Sequence, residues 1–363
     1  MNYRKLEISK SSIFYIAWII MVIHFCVANS NMQDYSKTLV SYIAMSLFGI
    51  KIILQRRYSI KEICIMAFLC VWGILTYKVT DDMRVFWFAI VLCASKDIDF
   101  DKSVRYSFRT MLLCCILFFI SYKIGIIDET MVDSVRGIRH SFGLGHPNMC
   151  AAYYALLMIQ YIYINFKKIN IAHINILIVG TFLIYSFTKS TTGLITAVVS
   201  LLIVIVLKYV SFKKINSQLI IYILICGILA FTIIPIIYNK GFSSIDALLT
   251  GRLHQAHFYF KKYGIGLFGK NINADLNNIY TDNILDIGYA RMLINNGLIY
   301  YLTIVVGYII AMFEAWKRER RDIIALMSCF VVYMFTENVA TYIFMNVTML
   351  LFSYYLYRKT SID

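Results

Sequence analysis

Apolar residues in this chain come in long runs separated by short polar connections. A hydrocarbon layer about 30 Å thick is crossed by roughly 20 helical residues. Twelve runs qualify, some of them short, at about 11–30, 38–54, 62–78, 84–95, 109–126, 148–166, 171–188, 191–211, 218–238, 288–314, 322–337 and 339–357. The fourth is marginal in length, and only Thr188-Lys189-Ser190 divide the pair at 171–211, so ten and eleven are the alternative counts. The pattern predicts an all-α polytopic membrane protein with about twelve transmembrane helices. No internal repeat, low-complexity tract or separate soluble domain is visible, so residues 1–363 read as a single integral membrane domain.

Composition agrees with that pattern. The 363 residues are 60% hydrophobic and 15% charged, with mean hydropathy +0.70. Soluble domains run at about 45–50% and 25%. Disordered, collagen-like and small disulfide-stapled classes are excluded. A net charge of +15 would suggest nucleic acid in a soluble chain. In a membrane chain the basic residues must first be sorted by side. A cytoplasmic N-terminus puts Arg4, Lys5 and Lys10, the stretches Lys51 to Lys61 and Lys96 to Arg109, Lys167 and Lys168, Lys208 to Lys214, Lys317 to Arg321, and Arg358 and Lys359 inside. These hold most of the 35 Lys and Arg, and every short loop alternates correctly. The charge therefore reads as topology, with both termini cytoplasmic and no nucleic-acid partner. The first span lacks a small-residue cleavage pattern and reads as a signal anchor. All nine cysteines fall in or beside apolar runs and read as packing residues.

Two extracytoplasmic loops, about 127–147 and 239–287, stand out against the minimal connections elsewhere. Long loops on a rigid scaffold are where function concentrates. The first ends in Arg136-Gly-Ile-Arg139-His140-Ser-Phe-Gly143-Leu-Gly145-His146-Pro147-Asn148. Pro147 suits a helix's first turn, so an anion-friendly terminus would stand beside two guanidinium groups and an imidazole. The second loop carries Thr250-Gly251-Arg252 and His254 within a segment that reads, from Ser244, as an amphipathic surface helix. There Arg252, Gln255 and Tyr259 share the side opposite Ile245, Leu249 and Leu253. His254 and His257 have no accompanying glutamate, so no metal site and no cofactor is expected. Gly264, Gly266 and Gly269 follow without the strand-turn-helix context of a nucleotide fold.

The chain re-enters the membrane through Asp286-Ile-Gly-Tyr289-Ala-Arg291. Asp286 fits a helix cap or a functional carboxylate. Arg291 lies one to two turns into an apolar run, where it must face a partner or a watery cavity. Lys189 and Glu337 sit at tight outward turns, and Glu337-Asn338 reads as a polar turn or as part of the site. Together Arg136, Arg139, His146, Lys189, Arg252 and Arg291 predict a cationic cup with few carboxylates, suited to a lipid pyrophosphate.

Residues Arg136 to Asn148 resemble the R-x-x-R-x-S-x-G-x-x-HPN element of the Wzy polysaccharide polymerases, within the O-antigen polymerase/ligase superfamily. Ser190-Thr-Thr-Gly193 is similar to that family's Ser-Arg-Thr-Gly element. Thr250-Gly251-Arg252 resembles the opening of its large loop, Gly266 to Gly269 the turn that follows, and Asp286-x-x-Tyr289-x7-Gly297 the loop exit. The order is the expected one over roughly residues 110–310. The chain departs from the pattern at Thr191, where the family often has arginine, and at Ile287, where it commonly has asparagine.

The resemblance implies a GT-C-like fold in a bacterial plasma membrane and a metal-independent, inverting glycosyltransferase. Such enzymes move a growing glycan from undecaprenyl pyrophosphate to the non-reducing end of another lipid-linked repeat unit, in capsule, exopolysaccharide or O-antigen synthesis. It casts Arg252 and one or both of Arg136 and Arg139 as pyrophosphate ligands, with Lys189, Arg291, Asp286, Tyr289 and Asn148 lining the substrate site. His146, His254 and Glu337 are the candidate bases. A flippase and a chain-length regulator are the implied partners. The alternatives are an O-antigen-ligase-like transferase with another acceptor and a flippase or transporter of lipid-linked oligosaccharide. A transporter would carry polar, broken helices at the midplane of paired halves, which this chain lacks.

Overall fold

The structure, a computed structural model, describes residues 2–32, 37–55, 57–133, 137–210, 213–276 and 285–357. Among these the chain is all-helical, with no strand and only the isolated bridges Ser30–Leu144 and Val132–Arg139. Its α-helices in chain order are α1 Asn2–Ala28, α2 Lys37–Leu54, α3 Ile60–Thr80, α4 Arg84–Ala94, α5 Phe100–Lys123, α6 Pro147–Asn165, α7 Ile171–Thr188 and α8 Thr191–Tyr209. They continue with α9 Lys213–Ile236, α10 Ser243–Leu248, α11 Arg252–Tyr263, α12 Asn273–Leu276, α13 Gly288–Arg291, α14 Leu298–Lys317, α15 Arg321–Thr336 and α16 Phe352–Leu356.

Among the described residues, seven segments are long and apolar enough to cross a membrane: Lys10–Ala28, Ile60–Thr80, Phe100–Lys123, Ile171–Thr188, Thr191–Tyr209, Ile215–Ile236 and Leu298–Lys317. These helices keep apolar side chains on their outside, such as Ile176, Val179, Phe182 and Leu183 of α7. Contiguous apolar surface of that kind suits lipid and not water. The protein is membrane-embedded.

Three other apolar runs differ from a long helix with an apolar outside. Helix α4 has 11 residues, about 16 Å at 1.5 Å per residue, half the hydrocarbon thickness. Helix α15 is buried on nearly every side, from Ile323 to Met334, as befits a helix that is apolar all round. The run at 339–357 is not one helix. It breaks into 3-10 turns at Val339–Thr341 and Val347–Leu351 before α16. The cause is polar: the Asn346 amide donates to the Ala340 carbonyl at 2.8 Å and to the Tyr308 hydroxyl at 2.8 Å. Side chains that bond nearby backbone compete with the helix ladder.

The chain divides into two compact units. One comprises Met1–Arg56 and Ala94–Ile205, the other Arg57–Cys93 and Val206–Asp363. In the first, α1 packs on α2 and α5, α5 on α6, and α6 on α7. The Trp18 indole donates to Ser107 Oγ at 2.7 Å, tying α1 to α5. In the second, α9, α14 and α15 pack mutually, with α11 and α13 against α9. Thr232 and Tyr301 join α9 to α14 through a 2.8 Å hydroxyl pair.

Candidate functional site

The second unit builds its polar centre from three chain breaks. The first separates α10 from α11. Thr250 and Gly251 take φ of 58° and 81°, and this double left-handed turn ends α10 where one amphipathic helix was expected. The buried face of α11 then combines Arg252, Leu253, Ala256, Tyr259 and Phe260, so Arg252 and Tyr259 point inward instead of opposing Leu253. Gly251 has no side chain to cap the new helix. Asp246 does so from α10, its Oδ1 accepting the Leu253 N–H at 2.8 Å and the His254 N–H at 3.4 Å.

Arg252 is the first residue of α11, where the helix dipole disfavours a cation and burial disfavours it further. Two carboxylates offset this. Nη2 lies 3.0 Å from Glu337 Oε1 and 3.1 Å from Asp286 Oδ2. Burial works against the guanidinium charge, but Glu337 and then Asp286 outweigh it, holding its pKa above the ordinary arginine value. Side-chain exposure falls from 20% at Asp286 and 13% at Glu337 to 5% at Arg252, so the carboxylates form the accessible side.

The second break returns the loop to the membrane. A Cβ on Gly269 would lie 2.0 Å from the Asn295 carbonyl oxygen, and one on Gly297 would lie 2.4 Å from both Gly269 N and Leu267 O. Only glycine allows backbones this close. The clasp is closed by Lys270 N–H to Ile294 O at 2.9 Å and Leu298 N–H to Gly266 O at 2.9 Å. Between Arg291 and Gly297 the helix widens into one π turn, Met292–Asn296, a feature frequent at functional sites. Upstream, Gly288 packs on the end of α15, where a Cβ would meet Met334 O at 2.9 Å and Glu337 O at 3.1 Å. That contact brings Asp286 beside Glu337.

The third break is the end of α15. Glu337 is its C-cap, in extended conformation. The Asn338 amide reaches back to Asp286 Oδ1 and to the Leu285 carbonyl, each at 3.3 Å. Glu337 and Asp286 thus converge on Arg252, and Asp286 serves the ion pair and not a helix cap.

Beside this group stands an arginine that the sequence pattern passes over as the start of a short span. Arg84 is buried, with Nε 3.3 Å from Asp82 Oδ2, Nη1 donating to Thr341 Oγ1 at 2.9 Å, and its guanidinium 4.0 Å from the Tyr342 ring centroid. The signal was present as Asp82-x-Arg84 at the head of an apolar run. Arg291 feels the charges of Arg84, Asp82 and Asp286, while its Nε has no hydrogen-bond partner among the described residues. The centre therefore holds Arg84, Arg252 and Arg291 against Asp82, Asp286 and Glu337. Within this unit the group is charge-balanced.

Two other expected site residues of this unit lie apart from that chemistry. Tyr289 is buried, its hydroxyl donating to the Val331 carbonyl at 3.2 Å. His254 is exposed, with its ring 5.6 Å from that of Tyr238.

In the first unit, Arg136 lies outside the described residues. Arg139 donates through Nε to the Thr188 carbonyl at 2.8 Å and through Nη2 to Asn148 Oδ1. His146 caps α6, its Nδ1 accepting the Asn148 N–H at 3.0 Å. Lys189 closes α7 in a left-handed conformation at φ 48°. Glu129 anchors the loop, accepting from the Ser141 and Phe142 N–H groups at 3.1 Å each, from the Tyr122 hydroxyl at 3.0 Å, and lying 3.2 Å from His140 Nδ1. Burial pushes its pKa up, but the Phe142 amide, His140 and Tyr122 outweigh burial and leave it below the ordinary carboxylate value.

Among the described residues, no group of three or more His, Cys, Asp or Glu could hold a metal ion. Set against protein-family models, curated proteins and solved structures, the chain matches none of them.

Proposed function

We propose that this protein is a membrane glycosyltransferase of the polysaccharide-polymerase type. It would extend a capsule, exopolysaccharide or O-antigen chain from undecaprenyl pyrophosphate-linked repeat units. One observation carries the reading: Arg252 from the loop opening, Asp286 from the loop exit and Glu337 from a distant helix end meet within 3.0–3.1 Å. The first two are the residues whose surroundings resemble the Wzy pattern.

The chemistry follows from the groups present. The acceptor hydroxyl oxygen attacks the donor's anomeric carbon from the face opposite the pyrophosphate. The bond from that carbon to the pyrophosphate oxygen breaks, its electron pair leaves with the pyrophosphate, and the hydroxyl proton passes to a carboxylate. Glu337 is the favoured base because its carboxylate lies beside Arg252 and is partly accessible, whereas His146 is spent capping α6 and His254 stands on an exposed helix face. Arg291, whose Nε is unmatched, is the cation favoured to meet the developing pyrophosphate charge. Pyrophosphate is a good leaving group, so positioning and electrostatics supply much of the rate.

The proposal includes twelve membrane crossings, a GT-C-like arrangement, residence in a bacterial plasma membrane with both termini cytoplasmic, and work beside a flippase and a chain-length regulator. The test is purified protein in lipid nanodiscs, supplied with an undecaprenyl pyrophosphate-linked repeat unit and no added metal. A ladder of longer glycans is expected; translocation without bond formation refutes the reading. Arg252→Ala should abolish the ladder while leaving membrane insertion intact, and wild-type chain lengths in that variant would remove Arg252 from the site.

A further inference from the structure

Buried donors in folded proteins are almost always matched by acceptors. In the Arg252 group two are unmatched: Nη1 of Arg252 and the hydroxyl of Tyr333. Tyr333 stands one helical turn before Glu337, whose N–H donates to the Tyr333 carbonyl at 3.0 Å. That spacing puts both side chains on the same face of α15's end. The Tyr333 hydroxyl lies in the field of Glu337, Arg252 and Asp286 together. The carboxylates of Asp286 and Glu337 are acceptors on the accessible side of this group.

Charge decides what such a place can hold. Both carboxylates already sit on Nη2 of Arg252, so a phosphate oxygen brought to this guanidinium would meet repulsion from their oxygens. A neutral hydroxyl has no such conflict. It donates to a carboxylate while accepting from the unmatched guanidinium N–H and the phenol O–H. Mixed donor and acceptor capacity beside a tyrosine fits a sugar.

We infer that Arg252, Asp286, Glu337 and Tyr333 form a saccharide-hydroxyl subsite, entered from the carboxylate side, with Tyr333 a binding residue. Its assignment to the acceptor sugar rests on the glycosyltransferase reading; its preference for neutral hydroxyls over phosphate does not. The negative groups of the donor then fall to cations outside this subsite.

The experiment uses the full chain in nanodiscs and two probes. Saturation-transfer NMR reads binding of a panel of methyl glycosides of glucose, galactose and N-acetylglucosamine, and phosphorus line broadening reads inorganic pyrophosphate. At least one glycoside should bind. Tyr333→Phe, which removes only the hydroxyl, should weaken it about tenfold, the worth of one hydrogen bond. Glu337→Gln should weaken it at least as much. Tyr333→Phe should leave pyrophosphate broadening unchanged. No glycoside signal, displacement of the glycoside by pyrophosphate, or unchanged glycoside binding in both variants would overturn the subsite. Glycoside binding that responds to Tyr333 without any chain elongation would instead overturn the polymerase reading and leave the subsite standing. Elongation with glycoside binding indifferent to Tyr333 and Glu337 would do the reverse.

Discussion

Glu129 shows how a single carboxylate can hold a loop. It gathers two backbone amides, a phenol and an imidazole, and hydrogen bonds to an ionised group exceed neutral ones in strength. Its pKa is lower in the folded protein than the ordinary 4.5. Anchoring is therefore complete above that value and is lost as the pH falls through the lower folded-state value. Amide exchange at Ser141 and Phe142, corrected for intrinsic rates, should stay protected down to the ordinary carboxylate pKa and then lose protection. Glu129→Gln should abolish the acid dependence; protection unchanged in strong acid would show that Glu129 is not the anchor. Residue types were legible in the sequence at this scale, but their employment was not. Arg252, Asp286 and Glu337 were each singled out as charges in unusual places. Glu129, Arg84 and Tyr333 were not, because nothing local distinguishes a carboxylate that collects amides, or a phenol left unmatched, from its neighbours.

At the scale of elements, the glycines of the second long loop have a purpose that spacing alone did not disclose. Gly269 meets Gly297 backbone to backbone, the Gly266 carbonyl accepts the Leu298 N–H, and this clasp fixes where the chain leaves the loop and where the π turn after Arg291 begins. Gly297→Ala must force both a strained φ, now 95°, and a 2.4 Å contact with backbone atoms. The expected loss is about 2–3 kcal/mol, as for overpacked sites, seen as a lower melting temperature in detergent. Gly125→Ala is the control, since φ there is also positive but nothing lies within 4 Å; it should lose only about 1 kcal/mol. Equal losses would mean that conformation alone, and not the clasp, explains Gly297. The long apolar helices were legible from hydropathy. The breaks at Thr250-Gly251 and at 339–357 were not, because nothing in the apolar pattern shows that Asp246 will cap Leu253, or that Asn346 will bond the Ala340 carbonyl and the distant Tyr308 hydroxyl.

At the scale of the molecule, the seven long apolar helices and three shorter apolar segments among the described residues leave the number of crossings to be decided by the charges at their ends. Twelve crossings put both termini on the cytoplasmic side; an odd number separates them. Green fluorescent protein fused after Asp363 should fluoresce, and a protease-sensitive tag before Met1 should resist external protease in intact spheroplasts. Termini on opposite sides would refute the twelve-span proposal. The sequence by itself determined that this protein lives in a membrane, that it is helical, and which charges are out of place, because transfer of apolar side chains from water is additive and local. Only the tertiary structure decided which of those charges meet. Arg252 lies far from Asp286 and farther from Glu337 along the chain, and what brings them together is a backbone path set by Gly288 against α15 and by the turn at Gly251. Pairing of this kind depends on distance in space, falls off within a few ångströms, and leaves no period in the sequence to read.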